Sequence, residues 1–149
     1  MNDLLKLKNQ LCFPLYACSK EVVKRYKPFL DPLGLTYTQY IAMMVLWEHG
    51  DATVKELGRQ LYLDSGTLTP LLKKMEAQGL VTRERCAEDE RSVVIRLTPR
   101  GTELQEAAAS VPLQMGRCMS LDTKDMRTLY DLLYKTLSHL SAQDGGADS

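Results

Sequence analysis

The sequence has little of what metal sites, secreted proteins and membrane proteins need. Its 149 residues include only two histidines and four cysteines, with no CxxC pair. A structural zinc site is therefore not expected, and no cofactor is predicted. No stretch approaches the roughly 18 consecutive apolar residues that span a bilayer, so no membrane partner is predicted. The start of the chain is periodic rather than uniformly apolar, which is unlike a signal peptide and favours a cytoplasmic location.

The chain also lacks a net charge. Nineteen Lys and Arg residues balance nineteen Asp and Glu residues, whereas a DNA-binding domain usually has a basic excess. This balance is a weak argument for or against nucleic acid, because the position of the charges within each element matters more than their sum. The length fits one domain that buries a core without disulfides, and the four thiols should be reduced.

Apolar residues recur at spacings of three and four along the start of the chain, which predicts one long amphipathic helix. This stripe runs from Leu4 to Tyr26, and Pro14 interrupts it. Because proline removes a backbone donor, either the helix kinks there or its regular part begins there with Pro14 in the first turn. Pro28 and the loop at residues 32–34 are expected to end the helix.

A second long apolar stripe lies near the other end of the chain. The last helix should begin near Asp122, and the polar, Gly-rich tail at residues 143–149 is expected to be disordered. The two stripes have too little domain between them to cover them, so pairing of two chains is expected. We therefore assign residues 1–35 and 100–142 to dimerisation helices.

Residues 36–99 read as capped helices followed by a hairpin. Side chains that can cap a helix start are Thr36 with Gln39, Thr53 with Glu56, and Asp64 or Ser65. Two short β-prone segments then flank the charged stretch AEDER, which predicts a hairpin with a solvated tip. The order of short helix, longer helix and charged hairpin is typical of a winged helix-turn-helix. The predicted fold is mostly α with a small β-hairpin wing.

The second helix of this unit presents polar side chains opposite its leucines. Small hydroxyls near a helix start can approach phosphates and base edges in the major groove, and an arginine at a hairpin tip can enter the minor groove. A bidentate pair between Asp89 and the Arg91 guanidinium is expected. Protein binding remains an alternative, because winged helices also bind proteins and the wing carries acidic residues. The predicted DNA-binding residues are Ser65, Thr67, Thr69, Lys73, Lys74, Arg83, Arg85, Asp89 and Arg91.

The stretch LYLDSGTLTPLLKKMEAQGLVTRERCAEDERSVVIRLTPRG resembles the MarR family of winged-helix repressors, and DERSVVIRLTPRG is similar to that family's wing signature. Upstream, LKNQLCFPLYACSKEVVKRYKPFLDPLGLTYTQYIAMMVLWEH resembles the organic-hydroperoxide-sensing branch, called OhrR. The resemblance implies a homodimer that binds a pseudo-palindromic operator in double-stranded DNA. It also implies a repressor that oxidation by an organic hydroperoxide, and also by hypochlorite, releases from DNA.

OhrR proteins sense peroxide with a cysteine near the start of the first helix, and Cys12 within LCFPLYA matches it. The thiolate is the attacking form, and its first product is a sulfenic acid. By spacing alone, Cys12 would read as a small buried hydrophobe. The resemblance implies that Tyr16, Tyr26 and Tyr37 stabilise the thiolate, the last two from the partner chain. Pro14 departs from the family, where leucine-like residues are common.

The other three cysteines have different expected roles. Some OhrR proteins resolve the sulfenic acid with a cysteine in a C-terminal helix of the other chain, and Cys118 is the candidate here; other members use an external thiol. Cys18 lies on the apolar stripe and is expected in the core. Cys86, at the base of the wing, is expected to be structural.

Two other functions remain open at this stage. A MarR-type regulator could instead bind a phenolic ligand in a cleft lined by Met43, Met44 and Trp47, although these residues more naturally form helix core. A thiol peroxidase with Cys12 as its nucleophile would leave the winged segment unexplained. No histidine or arginine is placed by sequence to support turnover, so the chain is predicted not to be an enzyme.

Overall fold

The computed structural model describes residues 2–89 and 91–144 and confirms a mostly helical fold with a hairpin wing. The chain divides into two compact units, one up to Met115 and one from Gly116. The helices are α1 (Cys12–Leu30), α2 (Tyr37–His49), α3 (Val54–Leu61), α4 (Ser65–Ala77), α5 (Pro99–Ala108), α6 (Val111–Met119) and α7 (Thr123–Asp144). The strands are β1 (Ala52–Thr53), β2 (Val81–Arg85) and β3 (Val93–Leu97). Within the described ranges, none of these helices is both long and apolar enough to cross a membrane.

Helix α1 begins at Cys12, with Pro14 in its first turn. Proline is tolerated there because the first N–H groups of a helix have no intrahelical acceptor. Of the two alternatives at Pro14, the regular helix that begins there is confirmed. The residues before it do not continue the helix, since residues 3–5 and 7–9 form two separate 3-10 turns. The side-chain amide of Gln10 donates to the carbonyls of Leu4 at 2.6 Å and Lys6 at 3.1 Å, which holds these turns against the start of α1.

The end of α1 also differs from the expectation. Pro28 lies inside the helix, which continues to Leu30 and passes into a 3-10 turn at Asp31–Leu33. Gly34 ends that turn with a φ of 69°, a left-handed conformation that glycine adopts without strain. The corner is therefore made by the 3-10 turn and Gly34, and Pro28 does not end the helix.

The predicted capping boxes at Thr36 and Thr53 are both present. Each threonine accepts a hydrogen bond from the N–H three residues on, and the Gln or Glu at that position accepts one from the threonine N–H. Asp64, rather than Ser65, caps α4 and accepts the Thr67 N–H at 2.7 Å. Hydrogen bonding from the Thr67 side chain and backbone lowers the pKa of the Asp64 carboxyl.

The three strands form one antiparallel sheet in the order β1–β3–β2. Its register pairs Val81 with Leu97 and Ala52 with Ile95. Strand β1 was not predicted, because two residues are too short to show an alternating pattern. Helices α2, α3 and α4 pack with the sheet around a core whose fully buried side chains include Met43, Leu46, Leu57, Leu68, Leu72, Met75 and Ile95.

The segment beyond α5 follows the prediction in most respects. Pro112 lies in the first turn of α6, and the Asp122 carboxylate accepts the Asp125 N–H at 2.7 Å at the start of α7. Helix α7 continues to Asp144, past the predicted boundary at residue 142, and residues 145–149 of the expected disordered tail lie outside the described residues. Within α7, the exposed apolar side chains are Met126, Leu129, Tyr130, Leu132, Leu133, Tyr134 and Leu140.

Helix α5 lies close to the core at Gly101. Thr98 caps this helix with Pro99 in its first turn, as predicted. The indole N–H of Trp47 donates to the Gly101 carbonyl at 2.9 Å, and a Cβ built on Gly101 would overlap the Leu80 carbonyl oxygen. Since the obstacle is backbone, a larger residue would have to move the start of α5 away from Leu80, which lies just before β2.

We expect Gly101→Ala to lower the free energy of unfolding by about 1–3 kcal/mol, the usual cost of overpacking a core. Gly116→Ala is the matched control, because its Cβ would meet no atom of the described residues within 4 Å. Alanine there should stabilise its helix by up to about 1 kcal/mol. Urea unfolding at one protein concentration measures both variants. Equal stabilities of the two variants would contradict the close approach at Gly101.

Candidate functional site

A groove of about 700 Å³ lies between α3, the start of α4 and the hairpin. Its charged and hydroxyl-bearing lining includes Lys55, Arg59, Ser65, Thr69, Arg83, Asp89, Arg91 and Ser92. Four of these side chains are cationic and only Asp89 is acidic, so the groove is locally positive although the whole chain is neutral. Such a surface suits a polyanion. The neutral net charge of the whole chain is therefore no argument against the binding of a polyanion in this groove.

The groove brings together five of the nine predicted DNA-binding residues. Thr67, Lys73 and Lys74 are exposed on α4, and Arg85 is exposed on β2, but these four do not line the groove. Lys55 and Arg59 were missed by the sequence prediction, which concentrated on the second helix of the unit. Their spacing of four residues, on the face of α3 opposite the buried Leu57, was the available signal.

Arg83 occupies a distinctive position in the groove. Its Nε is buried, and within the part of the chain that the structure describes it has no hydrogen-bond partner. Its backbone N–H donates to the Glu76 carboxylate at 3.1 Å, which ties β2 to α4. A buried donor without a partner costs free energy, so a ligand oxygen at this position would be favourable.

The expected pair between Asp89 and the Arg91 guanidinium is wrong. Asp89 instead accepts the Arg91 backbone N–H at 3.0 Å and the Ser92 hydroxyl at 3.3 Å. A short acidic side chain readily binds the N–H two residues on, which is the geometry of a turn. Asp89 therefore shapes the hairpin tip and leaves the Arg91 side chain available.

The second candidate site is at the start of α1. Cys12 is the first residue of the helix and is exposed, and no side chain caps that helix end. Its first-turn N–H groups therefore favour a nearby negative charge. Tyr16, one turn on, is 60% exposed, and the ammonium group of Lys20 lies 5.3 Å from the centroid of its ring.

Tyr26 and Tyr37, two of the predicted site residues, meet at the far end of α1. Their ring centroids are 4.8 Å apart, and Tyr40, which was not predicted, lies 5.8 Å from Tyr26. Burial, with smaller contributions from Tyr37 and Tyr40, raises the pKa of Tyr26 to about 12. Burial also raises the pKa of Tyr37 and Tyr40. All three hydroxyls therefore stay protonated at neutral pH and can donate to an anion.

One chain does not bring Cys12 to this cluster. Tyr26 follows Cys12 by fourteen positions on the same helix, which corresponds to about 21 Å along the axis. Of the three predicted tyrosines, Tyr16 is the one that lies next to Cys12 on the surface of α1 in the same protomer. A site that combines Cys12 with Tyr26 and Tyr37 therefore requires a second chain.

The remaining cysteines are all free thiols. Cys18 is exposed, so its expected place in the core is wrong; Phe13 and Leu15 in the same stretch of α1 are also exposed. Cys86 is half-buried, and its N–H donates to the Ser92 carbonyl at 2.8 Å at the base of the wing. Cys118 is exposed on α6.

The residues proposed for a phenolic cleft have ordinary structural roles. Met43 is fully buried, as its interpretation as a helix-core residue predicted. Trp47 is half-buried and uses its indole N–H on the Gly101 carbonyl. Met44 is 42% exposed on the surface of α2, so its expected place in the helix core is wrong.

Comparisons with known proteins identify the family of the chain. The model of the SarA/Rot transcriptional regulators matches residues 24–108. The chain is 54% identical to the organic hydroperoxide resistance transcriptional regulator of Bacillus subtilis (strain 168) over 138 residues, which cover 93% of this chain and 94% of the relative. Reduced AbfR bound to DNA is similar with a TM-score of 0.76 and 39% identity, over 90% of this chain and 93% of that one.

Other solved structures extend the comparison. AbfR has also been solved in an overoxidized form bound to DNA and in a disulfide form, both 39% identical to this chain. A mutant MarR from E. coli in complex with operator DNA has a TM-score of 0.81. Its identity is 24%, with coverage of 91% of this chain and 99% of MarR, so it bears on the fold alone.

The tyrosine cluster should make stability fall at high pH. Below about pH 10 the hydroxyls are protonated in the folded and unfolded chain alike. As pH rises, the unfolded chain ionises first, so stability is lost progressively up to the folded pKa of Tyr26, about 12. Tyrosinate absorbance should show a late titration step that Tyr26→Phe removes and Tyr62→Phe, at an exposed position, retains. A late step that survives Tyr26→Phe would contradict the assignment.

Proposed function

The chain belongs to the SarA/Rot family of transcriptional regulators, in the organic-hydroperoxide-sensing (OhrR) branch of the MarR-type winged-helix proteins, and on that premise we propose its function. It is a DNA-binding repressor that oxidation of Cys12 by an organic hydroperoxide releases from its operator. The observation that carries this proposal is an exposed cysteine at the uncapped start of α1 together with protonated tyrosines that one chain cannot bring to it. A repressor of this kind works in the cytoplasm, where the DNA is.

DNA binding uses the locally positive groove and α4. The exposed start of α4 enters the major groove, where Ser65, Thr67 and Thr69 approach base edges and phosphates. DNA phosphates on either side of the major groove are bound by cations of α3, α4 and β2 (Lys55, Arg59, Lys73, Lys74, Arg83 and Arg85). Arg91 at the hairpin tip reads the minor groove, while Asp89 fixes the turn that presents it.

A homodimer completes the molecule. Many large apolar side chains in residues 1–35 and 100–142 are exposed, and contiguous exposed apolar surface marks an interaction site. The exposed residues that pairing would cover include Leu4, Leu5, Leu7, Leu11, Phe13, Leu15, Leu113, Leu129, Leu132 and Leu133. Two-fold pairing presents two copies of residues 36–99 to two half-sites, and so predicts a pseudo-palindromic operator.

The sensing site is shared between the two chains. The Cys12 thiolate has Tyr16 from its own chain and the cluster of Tyr26 and Tyr37 from the partner. Protonated hydroxyls donate to the sulfur anion and stabilise it relative to the thiol. The same thiolate reacts with hypochlorite, which is also a two-electron oxidant.

The chemical step is a two-electron transfer. The Cys12 sulfur attacks the terminal oxygen of the hydroperoxide, an S–O bond forms and the O–O bond breaks. The alkoxide leaves and takes up a proton to become an alcohol, while Cys12 becomes a sulfenic acid. The oxygen added to the Cys12 sulfur needs room beside Tyr37, which is the first residue of α2. Helix α2 packs against α3 and α4 in the core, so a shift of α2 also moves these helices. Oxidation therefore moves the two winged units out of register with the half-sites.

We expect Cys12→Ser to bind the operator as tightly as the unsubstituted protein but to stay bound after treatment with cumene hydroperoxide. Serine keeps the size of the side chain and removes the oxidisable sulfur. A gel shift on the DNA upstream of the protein's own gene measures both properties. Cys18→Ser, which removes the other exposed thiol of α1, should still be released.

Normal release of Cys12→Ser by the hydroperoxide would refute the sensing role. Release of the unsubstituted protein by salicylate but not by hydroperoxide would instead select the regulator that binds a phenolic ligand. Catalytic consumption of hydroperoxide with a thiol reductant would favour the peroxidase.

Cys118 is the proposed resolving cysteine. Its thiol attacks the sulfenic sulfur of Cys12 in the other chain, an S–S bond forms, and the S–O bond breaks with loss of water. The disulfide form of AbfR makes such a step reasonable in a relative of this similarity. After one equivalent of cumene hydroperoxide, mass spectrometry should find an intermolecular bond between Cys12 and Cys118. A lasting mixed disulfide of Cys12 with a small external thiol would contradict this assignment.

A further inference from the structure

We propose that Lys20 is a positioning residue of the peroxide sensor: its ammonium group holds the Tyr16 ring toward Cys12 and strengthens the Tyr16 hydroxyl as a hydrogen-bond donor to the thiolate. This inference rests on the proposed function, because it gives Lys20 a part in the reactivity of Cys12. Lys20 lies one turn beyond Tyr16, on the side away from the Cys12 thiol, and Lys20 does not itself touch the reacting atoms.

The three residues lie along one face of α1. Cys12, Tyr16 and Lys20 are spaced by four, and residues four apart are neighbours on a helix surface. Helical side chains lean toward the N-terminus, so Lys20 leans over Tyr16 and Tyr16 leans toward Cys12. The observed distance of 5.3 Å from the Lys20 Nζ to the ring centroid is within the range of a cation–π interaction.

The Lys20 contact is the interaction that orients Tyr16. Among the described residues, Tyr16 makes no side-chain hydrogen bond and no aromatic pair, and its ring is 60% exposed. No ion pair within the described ranges involves Lys20. The ammonium group is therefore directed toward the ring rather than toward a carboxylate.

The electrostatic effect of this contact favours the thiolate. A cation over the ring draws electron density from the π system, which makes the phenol a stronger hydrogen-bond donor. A stronger donor stabilises the charged form of its acceptor. Of the charged residues that precede the helix, Asp3 pairs with Lys6, and Lys8 adds a further positive charge four residues before Cys12. On α1 itself, Glu21 is the acidic residue next to Lys20.

The test uses Lys20→Met in the full-length dimer, since methionine keeps the length of the side chain and removes its charge. Alkylation of Cys12 by iodoacetamide, followed at the Cys12 peptide by mass spectrometry, gives its rate against pH. We expect Lys20→Met to slow this reaction about two- to fivefold at neutral pH, as an exposed cation–π contact implies. The midpoint of the pH profile should move upward, because the thiolate loses stabilisation. Sulfenic acid formation with cumene hydroperoxide should slow by a similar factor.

Three variants separate Lys20 from other causes. Lys20→Arg should keep the unsubstituted rate, because a guanidinium also stacks on aromatic rings. Lys24→Met removes the same charge one turn further on and should leave the rate unchanged. In a Tyr16→Phe background, Lys20→Met should have no further effect, because the hydroxyl through which it acts is gone.

The inference is overturned if Lys20→Met reacts like the unsubstituted protein, or if Lys24→Met slows the reaction equally. An equal slowing by Lys20→Met in the Tyr16→Phe background would also overturn it, since the charge would then act on the thiolate directly. Failure of the proposed function looks different: Cys12 of the unsubstituted dimer would not be oxidised by the hydroperoxide at all.

Discussion

The rise of an α-helix sets the constraint on which this molecule depends. At about 1.5 Å per residue, a cysteine at the start of α1 and a tyrosine fourteen positions later cannot meet within one chain. The sensing site that we propose is therefore completed only by a second copy of the chain. The same pairing explains why Leu11, Phe13 and Leu15 around the thiol are exposed in a single chain. In this account, the pairing of two chains both covers the apolar residues around Cys12 and brings the tyrosines to its thiol.

Local order resolves the apparent conflict between a neutral chain and a DNA-binding surface. The capping box at Thr53 and the carboxylate cap of Asp64 fix the starts of α3 and α4, and the bond from the Arg83 N–H to Glu76 fixes β2 beside them. Cations from these elements then line one groove, although no segment has a large basic excess. This arrangement suits a repressor that must release DNA. A large excess of positive charge would hold the protein on DNA by non-specific attraction to the phosphates, and oxidation would then release it less readily.

The sequence predicted those parts of the fold that depend on local rules. Helix caps and the β-hairpin were found because each needs particular residues within a few positions of one another. The MarR and OhrR resemblance supplied Cys12, which spacing alone would read as a small buried hydrophobe, and it supplied the tyrosines that we propose to stabilise the thiolate.

The errors arose where tertiary context decides. Residues 3–9 match a helical period but form 3-10 turns, and Pro28 remains inside α1 because a nineteen-residue helix can accommodate the lost bond. Cys18 was expected in the core because it lies on an apolar stripe, but such a stripe does not show whether its own chain or a partner chain covers it. The Asp89 carboxylate binds the Arg91 backbone rather than its guanidinium, because a nearby N–H competes well with a long, flexible side chain.

The central claim, that each sensing site takes its thiol from one chain and its tyrosines from the other, can be measured in a mixed dimer. One chain would carry Cys12→Ser, the other Tyr26→Phe with Tyr37→Phe, and differently tagged copies would allow the heterodimer to be isolated. A site shared between chains leaves one intact combination, so Cys12 of the heterodimer should form sulfenic acid at the unsubstituted rate. A rate equal to that of the homodimer without Tyr26 and Tyr37 would contradict the account.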